Sequence, residues 1–394
     1  MRAVRILLFT GKGGVGKTTV AAATAVRAAA HGRRTLVLST DPAHSLADAL
    51  AVPLADEPVE VGPGLWGQQL DARTRLEESW SDIRSYLVKI LDWAGADAIE
   101  AEELAVIPGL DEVFALSDIK AHADSGRWDV IVVDCAPTAE TIRLLSLPDV
   151  LARYMDRVFP AQRMLTRAAR PVLRRLSDIP IASDTVFAAT QRFYDRLDGV
   201  RELLTDGTVT SARIVVNPER VVVAEARRTF TYLSLFGYHV DAVIANRLLP
   251  DAVTDPWFEA WKRIHKEQLA VIEASFAPVP VLAVPLLSEE PIGDERLAHL
   301  GALIYEGVGD ERIHEDESMR MRQHGASIVL DLALPCVERD EVDLTRVNGE
   351  LLVTVGPHRR SVVLPDSLHR RDVAGARLTD GRLEVEFTAP QQRG

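Results

Sequence analysis

Short apolar runs alternate with longer stretches of helical periodicity through most of the chain. Such runs predict buried strands at 4–9, 35–39, 129–133, 213–216, 240–245 and 279–284. An alanine-rich segment at 18–30, followed by Gly32, predicts a helix directly after the first strand. Because buried strands that alternate with helices form a parallel sheet with both faces covered, the pattern predicts an α/β fold.

Two stretches, at about 76–121 and 151–206, break this alternation and predict helical insertions. Each places apolar side chains at spacings of three and four residues, as on one face of an amphipathic helix. The apolar positions are Leu76, Trp80, Ile83, Leu87 and Ile90 in the first insertion and Leu151, Met155, Val158 and Phe159 in the second. Either these faces pack into an ordinary core or they form an apolar groove that binds a client, and the periodicity leaves both open.

The hydrophobic period changes to two near the C-terminus. Residues 306–324 are charged and poor in large apolar side chains, which predicts a linker between a first domain, 1–305, and a second, 325–394. In the second domain, apolar residues alternate after two Asx-Gly turn signals: Leu351, Val353 and Val355 after Asn348-Gly349, and Leu383, Val385 and Phe387 after Asp380-Gly381. The tail is therefore predicted to be a small all-β sandwich.

Charge and cysteine content argue against several classes of function. The 394 residues include 45 Lys and Arg against 58 Asp and Glu, a formal charge of −13, which argues against a nucleic-acid partner. The two cysteines, Cys135 and Cys336, support neither a disulfide framework nor a two-cysteine metal site. The first apolar run is too short for a signal-peptide core, and none reaches the ~18 residues of a membrane span. We therefore expect a cytoplasmic protein.

Residues 11–18, GKGGVGKT, match the P-loop pattern between a predicted strand and a predicted helix. In such a loop the backbone N–H groups point at phosphate, and the N-terminus of the following helix adds its positive dipole end. The residues expected to bind ATP are Gly11, Gly13, Gly14, Val15, Gly16, Lys17, Thr18 and Thr19. Lys17 is expected to reach the β- and γ-phosphates, and Thr18 to bind Mg²⁺. A plain glycine turn is the alternative.

Two aspartates follow predicted strands, at the edge of the sheet where α/β proteins build their sites. Asp41 follows the strand at 35–39 and could orient and activate the attacking water, although Asp-Pro is also a common turn. Asp134 follows the strand at 129–133, where an aspartate commonly holds Mg²⁺ through water. A cap for the following helix is the alternative role for Asp134.

Several segments in order resemble one ATPase family, which includes the arsenite-efflux ATPase subunit and the guided-entry factor for tail-anchored membrane proteins. They are GKGGVGKTT at 11–19, STDPAHSLADAL at 39–50, PGLDE at 108–112, DCAPTAETIRLL at 134–145, NPE at 217–219 and NRLLP at 246–250. The resemblance covers roughly residues 4–305 and implies a P-loop ATPase with helical insertions. The tail resembles the α-crystallin domain of small heat-shock proteins through LDLALP, VNGELLVTVG, RRSVVLP and DGRLEVEF.

This resemblance implies roles that the bare motif does not explain. Lys12 matches the signature lysine of the deviant Walker A motif, which reaches the nucleotide of the partner subunit, so a homodimer that closes around ATP is implied. A solvated surface lysine is the alternative. Asp41 and Asp134 would belong to the first and second switch segments. Asn246 would hydrogen-bond adenine and Glu219 would lie near the ribose, although an asparagine after a strand is also a common loop cap.

The preferred hypothesis is an ATP-hydrolysing homodimer that opens and closes a helical region for a hydrophobic client protein or peptide, in protein targeting or as a chaperone. The alternative is an ATPase subunit that energises anion or metalloid efflux through a membrane-associated partner. Efflux ATPases of this family carry a three-sulfur metalloid site and a tandem P-loop, and eukaryotic targeting factors carry a CxxC zinc pair. The sequence has none of these features, which argues against arsenite as the ligand. A small-molecule kinase or ligase on the same loop is a third hypothesis.

Overall fold

The computed structural model describes residues 4–40, 45–70, 110–134, 188–192, 199–309, 313–315, 318–325, 327–347 and 349–389, together with residues 85, 88 and 195. Within these ranges, no helix combines the length and the apolar character of a membrane span. The chain divides into two compact units by its internal contacts. The second unit, Leu70–Gly126 with Arg143–Leu203, contains nearly all of both predicted insertions.

The first unit is built on an eight-stranded sheet at the centre of its α/β region. The strands are β1 Arg5–Thr10, β2 Thr35–Ser39, β3 Val59–Gly62, β4 Leu65–Gln69, β5 Val130–Asp134, β6 Thr210–Val216, β7 Val240–Leu248 and β8 Val281–Pro285. They lie in the order β3-β4-β2-β5-β1-β6-β7-β8, and only β3 runs antiparallel to its neighbour. The predicted α/β fold with a mostly parallel sheet is confirmed. The sequence does not predict β3 and β4, because polar residues interrupt these short strands.

Five helices of the first unit pack on this sheet: α1 Lys17–Ala30, α2 Ser45–Leu50, α5 Arg220–Phe236, α6 Glu259–Phe276 and α7 Asp294–Ile304. α3 Leu110–Asp124 lies in the second unit, and α4 Val200–Thr205 begins in the second unit and ends in the first. α1 confirms the helix predicted at 18–30. It is rich in buried alanine, so α7 can approach it closely. A Cβ atom on Gly301 of α7 would lie only 2.7 Å from the carbonyl oxygen of Ala23 in α1. A larger residue at position 301 would therefore push the two helices apart.

Only parts of the two predicted insertions lie within the described residues. α3 overlaps the end of the range 76–121, and α4 overlaps the end of the range 151–206. In α4, Val200 and Leu204 are buried. The apolar stripes predicted at 76–90 and 151–159 lie outside the described residues except at positions 85 and 88, so the client groove stays a prediction.

The described residues of the C-terminal region form β-structure apart from short helical turns, one of them α8 Asp366–His369. Its strands are β9 Met319–His324, β10 Ser327–Ala333, β11 Val342–Val347, β12 Glu350–Val355, β13 His358–Val363, β14 Asp372–Thr379 and β15 Arg382–Thr388. They form two antiparallel sheets, β14-β15-β10-β9 and β11-β12-β13, which confirms the predicted all-β region. β9 falls inside the range predicted as the linker, because its alternating Met and Arg side chains are exposed and resemble a charged connection.

The β-region packs against helix α5 of the α/β region. Thr231 Oγ1 of α5 donates a hydrogen bond to the carbonyl oxygen of Pro335 over 2.6 Å. Nearby, the ring of Tyr232 lies 3.8 Å from the ring of His358. Arg360 donates to the carbonyl oxygen of Leu235, the residue before the last of the helix. Because side chains from both regions meet along one helix, α5 links the two regions directly.

Candidate nucleotide-binding site

A cleft of about 700 Å³ opens at the carboxyl ends of the central strands. A volume of this size is typical of a small-molecule site. Its walls come from the P-loop, the starts of α1 and α2, the end of β7 and the loop after β8. The lining residues include Gly13, Gly14, Gly16, Lys17, Thr18, Thr19, Ser45, Asn246, Arg247 and residues 285–292. Six of the predicted P-loop positions thus border one cleft.

Two glycines of the loop occupy positions where a side chain would be strained. Gly11 has a φ of 146°, and a Cβ atom there would lie 2.2 Å from the carbonyl oxygen of Val215 in β6. Gly16, at the N-terminus of α1, has a φ of 93°, and its Cβ would lie 2.6 Å from Nδ2 of Asn246. Both contacts are too short for a real side chain. The glycines therefore let the loop pass close to β6 and β7.

The two lysines of the loop lie in different surroundings. Lys17 is buried at the start of α1, and its Nζ donates to the carbonyl oxygen of Lys12 over 3.2 Å. The Nζ of Lys12 lies 3.6 Å from Oε2 of Glu225 on α5, and about a third of each side chain is exposed. Lys17 thus lies over the loop, where a phosphate could replace the carbonyl as its partner. The predicted contact of Lys12 with a partner subunit stays a prediction.

Oxygen atoms from three segments meet at the end of β5. Thr18 Oγ1 donates to Oδ2 of the buried Asp134 over 2.7 Å. Ser39 Oγ, at the end of β2, donates to the same oxygen over 3.3 Å. Ser45 Oγ, at the start of α2, lies 3.2 Å from Thr18 Oγ1. The structure therefore brings together Thr18 and Asp134, which are 116 positions apart and which the sequence predicts as a magnesium pair.

Ser39 and Ser45 are site residues that sequence reasoning missed, although both lie in the segment 39–50 that carries the family resemblance. Serines are common in such segments, and only their place beside Asp134 makes them notable. Asp41, predicted to activate the water, lies outside the described residues. Cys135 lies outside them as well.

The end of β7 holds the P-loop from its other side. Asn246 Nδ2 donates to the carbonyl oxygen of Val15 over 2.9 Å, and Arg247 Nη1 donates to that of Gly14, also over 2.9 Å. Arg247 has a φ of 60°, a left-handed conformation that costs a non-glycine residue about 1 kcal/mol. Two carbonyl oxygens of the loop are thereby held by side chains of β7. Arg247 was missed, since nothing in the sequence indicates its backbone conformation.

Glu219 directly precedes α5 and is exposed, and it is not among the described residues that line the cleft. Its predicted place beside the ribose therefore stays a prediction. Its charge acts on His265 of α6, whose pKa burial lowers and Glu219 partly restores. Nδ1 of this imidazole accepts a hydrogen bond from the backbone N–H of Leu249 over 3.1 Å, which requires the ring to be unprotonated at that atom. The segment after β7 is thereby tied to α6.

The residues of the cleft suit a magnesium nucleotide. A Cβ atom at position 11 or 16 would come too close to neighbouring atoms. Because both residues are glycines, the backbone can wrap a phosphate group. One carboxylate and the hydroxyls of Thr18 and Ser45 supply the hard oxygen atoms that Mg²⁺ prefers. Lys17 adds the positive charge that triphosphate binding needs.

Two protein-family models and several curated relatives match this chain. The family model for anion-transporting ATPases matches residues 4–306, and a model for the HSP20-like domain found in ArsA matches residues 325–387. The chain is 37% identical to the putative arsenical pump-driving ATPase 1 of Aquifex aeolicus, over 95% of this chain and 98% of the relative. It is 35% identical to protein Rv2184c of Mycobacterium tuberculosis, over 97% and 96%. ATPase GET3B of Arabidopsis thaliana is 32% identical, over 76% of this chain and 78% of the relative.

Proposed function

The chain belongs to the anion-transporting ATPase family and carries that family's HSP20-like domain, and we propose that it works as a homodimeric switch. Binding and hydrolysis of ATP open and close a helical region that holds a hydrophobic client protein or peptide. The observation that supports this most directly is the contact between Thr18 and Asp134, beside the lysine-bearing loop. A switch needs a residue that responds to the bound nucleotide. Asp134 begins the second of the two segments that are expected to move.

The chain's own residues divide the work as follows. The loop amides and Lys17 bind the phosphates, and Lys17 gives up the Lys12 carbonyl oxygen to do so. Thr18 and Asp134 are the residues that would hold Mg²⁺, Asp134 through water. Mg²⁺ bound there supplies positive charge to the phosphates. Asp41 orients the attacking water and accepts its proton.

The homodimer rests on Lys12. Its ion pair with Glu225 joins two partly exposed side chains, and such pairs contribute only about 0–1 kcal/mol. Lys12 can therefore leave Glu225 at little cost when a second subunit presents its nucleotide. The lysine then stabilises negative charge on the partner's phosphates, as a positive group supplied in trans.

Relatives named as arsenical pump-driving ATPases favour a second candidate, an ATPase subunit that energises anion or metalloid efflux through a membrane-associated partner. Cys336 argues against metalloid as the ligand. Its thiol donates to the carbonyl oxygen of Ser275 over 3.3 Å, and burial raises its pKa, which disfavours the thiolate that metalloids bind. Within the described residues, no group of three or more His, Cys, Asp or Glu side chains could hold a metal ion.

The lysine at position 17 tests the ATPase site. We expect Lys17→Ala to abolish detectable turnover, because its charge stabilises the triphosphate both before and during hydrolysis. Calorimetry with Mg-ATP measures nucleotide binding, and an assay of phosphate release measures hydrolysis. Lys120→Ala, which removes a lysine ion-paired to Asp124 on α3, is the matched control and should behave as wild type. Normal turnover by Lys17→Ala would refute the site.

Three further measurements separate the candidate functions. Turnover that does not respond to added arsenite argues against metalloid efflux, and stimulation argues for it. Sedimentation with a slowly hydrolysed ATP analogue should show a dimer that nucleotide-free protein does not form. Phosphorylation of a metabolite, in place of free phosphate, would identify a kinase or ligase.

A further inference from the structure

Arg247 lines the nucleotide cleft, yet the proposed ATPase mechanism assigns it no role. Its side chain is exposed, and its backbone has a φ of 60°, in the left-handed region that residues with a side chain rarely adopt. Residues held in such a conformation cluster at functional sites, where the surrounding structure offsets the strain. An exposed arginine in a strained conformation at the wall of a cleft therefore calls for a functional explanation.

The guanidinium group of Arg247 lies against the P-loop. Its Nη1 donates to the carbonyl oxygen of Gly14 over 2.9 Å, and its Nη2 lies 3.6 Å from the point that a Cβ atom on Gly16 would occupy. The preceding residue, Asn246, donates to the carbonyl oxygen of Val15, also over 2.9 Å. Because a guanidinium group is planar and rigid, a hydrogen bond at one Nη and a close contact at the other fix the orientation of the whole group.

The cleft has two chemically different ends. At one end, Lys17, Thr18 and Ser45 suit phosphate and Mg²⁺. At the other end, the segment 285–292 presents Leu286 and Ile292, which line the cleft and are 44% and 41% exposed. Apolar side chains offer no hydrogen bonds to a phosphate group, whereas they suit the flat face of a base. The triphosphate is therefore expected at the first end and the nucleoside at the second.

Arg247 lies at the boundary between these two ends. On one side its guanidinium contacts Gly14 of the P-loop. On the other side the chain continues into Leu248, whose carbonyl oxygen accepts a hydrogen bond from the backbone N–H of Leu286 over 2.7 Å. Arg247 is thus next in sequence to the residue that anchors the apolar wall. A planar cation in this place suits an aromatic ring, because it can stack on the ring face and is attracted by the π electrons.

We propose that Arg247 binds the nucleoside part of ATP, with its guanidinium group stacked on one face of the base. This inference rests on the proposed ATPase site and names a residue that fixes the base within it. The hydrogen bond to Gly14 already holds the guanidinium in place, so the side chain loses little entropy when nucleotide arrives. Arg247 therefore raises the affinity for a nucleotide without strengthening the contacts to its phosphates.

The test compares two ligands on the full chain. Calorimetry with Mg²⁺ measures the affinity for a slowly hydrolysed ATP analogue, which has a base, and for tripolyphosphate, which has none. We expect Arg247→Gly to bind the analogue about 10-fold more weakly, a loss within the range of a desolvated cation–π contact. Its affinity for tripolyphosphate should stay within about twofold of wild type. The matched control is Arg377→Gln, which removes an exposed arginine of β14 and should bind both ligands as wild type does.

Two further readouts separate nucleotide binding from a purely structural role. Glycine adopts the left-handed conformation without strain, so the urea midpoint of Arg247→Gly should equal or exceed that of wild type, whereas loss of a stabilising side chain would lower it. In ATP hydrolysis the variant should raise KM about 10-fold and change kcat by less than about twofold, because a base contact is present in both the ground state and the transition state. Arg247→Lys keeps the charge but lacks the planar group, and it should recover only part of the affinity.

The outcomes separate this inference from the proposed site. If Arg247→Gly weakens the binding of both ligands equally, Arg247 acts only through the P-loop and the inference is wrong. If the variant binds the analogue as tightly as wild type does, Arg247 does not contact the nucleotide, and the ATPase site stands without it. If the wild-type protein binds neither ligand, the ATPase site itself is refuted, and the inference with it.

Discussion

Two aspartates are buried in the same parallel sheet, near opposite ends of its strands, and they differ in what surrounds them. Asp134 ends β5 and accepts hydrogen bonds from the hydroxyls of Thr18 and Ser39. Asp241 is the second residue of β7 and accepts from Arg213 over 3.0 and 3.3 Å, and from Arg5 over 3.4 Å. One carboxylate is thus placed among hydroxyls and the other among guanidinium groups.

The ion pair of Arg213 and Asp241, at the amino end of the strands, belongs to a closed network of hydrogen bonds. Arg213, fully buried, also donates to the hydroxyl of Tyr305 over 2.8 Å, and Thr24 Oγ1 lies 2.6 Å from the same hydroxyl. Burial alone would raise the pKa of Asp241, but the charge and hydrogen bonds of Arg213 lower it below the ordinary value. Burial raises the pKa of Tyr305, so the phenol stays neutral.

Burial of a carboxylate does not by itself mark a functional site. Where guanidinium groups already neutralise the charge, as at Asp241, the carboxylate stabilises the contact between neighbouring strands. Where hydroxyls surround it, as at Asp134, the same group can recruit a cation and can respond to its arrival. Substitutions at the two ends should therefore change different properties.

The largest effect is expected on stability, from Asp241→Asn. This change leaves the buried guanidinium of Arg213 without its counter-charge, which typically costs about 3–5 kcal/mol. Urea unfolding followed by circular dichroism should show the loss, while the exposed Asp343→Asn should change stability by less than about 0.5 kcal/mol. Replacing both partners, as Arg213→Met with Asp241→Leu, should recover a large part of the loss. Wild-type stability in Asp241→Asn would refute the structural role.

At the other end, Asp134→Asn should lower ATP hydrolysis by about 10- to 100-fold, the usual cost of losing a group that supports a metal indirectly. Its urea midpoint should stay near wild type, because Thr18 and Ser39 hydroxyls can pair with an amide. Phosphate release measured over a titration of Mg²⁺ should show partial rescue at high magnesium. If Asp134→Asn instead unfolds like Asp241→Asn and hydrolyses normally while folded, the two ends are alike and the comparison fails.

Acid should weaken the network at the amino end. The folded-state pKa of Asp241 is below its unfolded value, so its contribution to stability is complete above the ordinary aspartate pKa, about 3.9, and is lost as pH falls through the folded value. The stability gap between wild type and Asp241→Asn should therefore narrow below about pH 4 and be constant between pH 5 and 7. Urea midpoints of both proteins across this range measure the gap. A gap that widens in acid would contradict the lowered pKa.

Sequence reasoning predicts the carboxyl end of the sheet far better than the amino end. The P-loop is a local sequence pattern, and Asp134 lies at the end of a predicted strand. Because sites in α/β proteins form at the carboxyl ends of strands, the sequence predicts that Asp134 lies near Thr18. Arg5, Arg213 and Asp241 lie at or in segments predicted as strands. Their meeting depends on the strand order β1-β6-β7, which no local pattern determines.

Other features that the sequence does not predict have similar physical causes. The hydrogen bond of Arg247 to the P-loop depends on a left-handed backbone, which propensity does not favour for arginine. β9 reads as a charged linker because an edge strand can expose every side chain, and it joins the sheet through its backbone hydrogen bonds to β10. Exposed Trp257 and Trp261 fit a helical period as well as core residues would, so their exposure is visible only in the fold.

The smallest effect on stability is expected from the partly exposed ion pair of Lys12 and Glu225 at the carboxyl end. It contrasts with the buried pair of Arg213 and Asp241. Glu225→Gln removes the partner of Lys12 and should change stability by less than about 1 kcal/mol, because both side chains are about a third exposed. If Lys12 must leave Glu225 to reach the nucleotide of a second subunit, the same change should favour the closed dimer, by up to about fivefold in dimer affinity for each of the two symmetric Lys12 contacts, at ~1 kcal/mol per contact. Sedimentation with the ATP analogue measures this, with Arg34→Gln, which removes the exposed pair with Asp129, as the control. Weaker dimerisation in Glu225→Gln would mean that Glu225 positions Lys12 for the partner instead of holding it back.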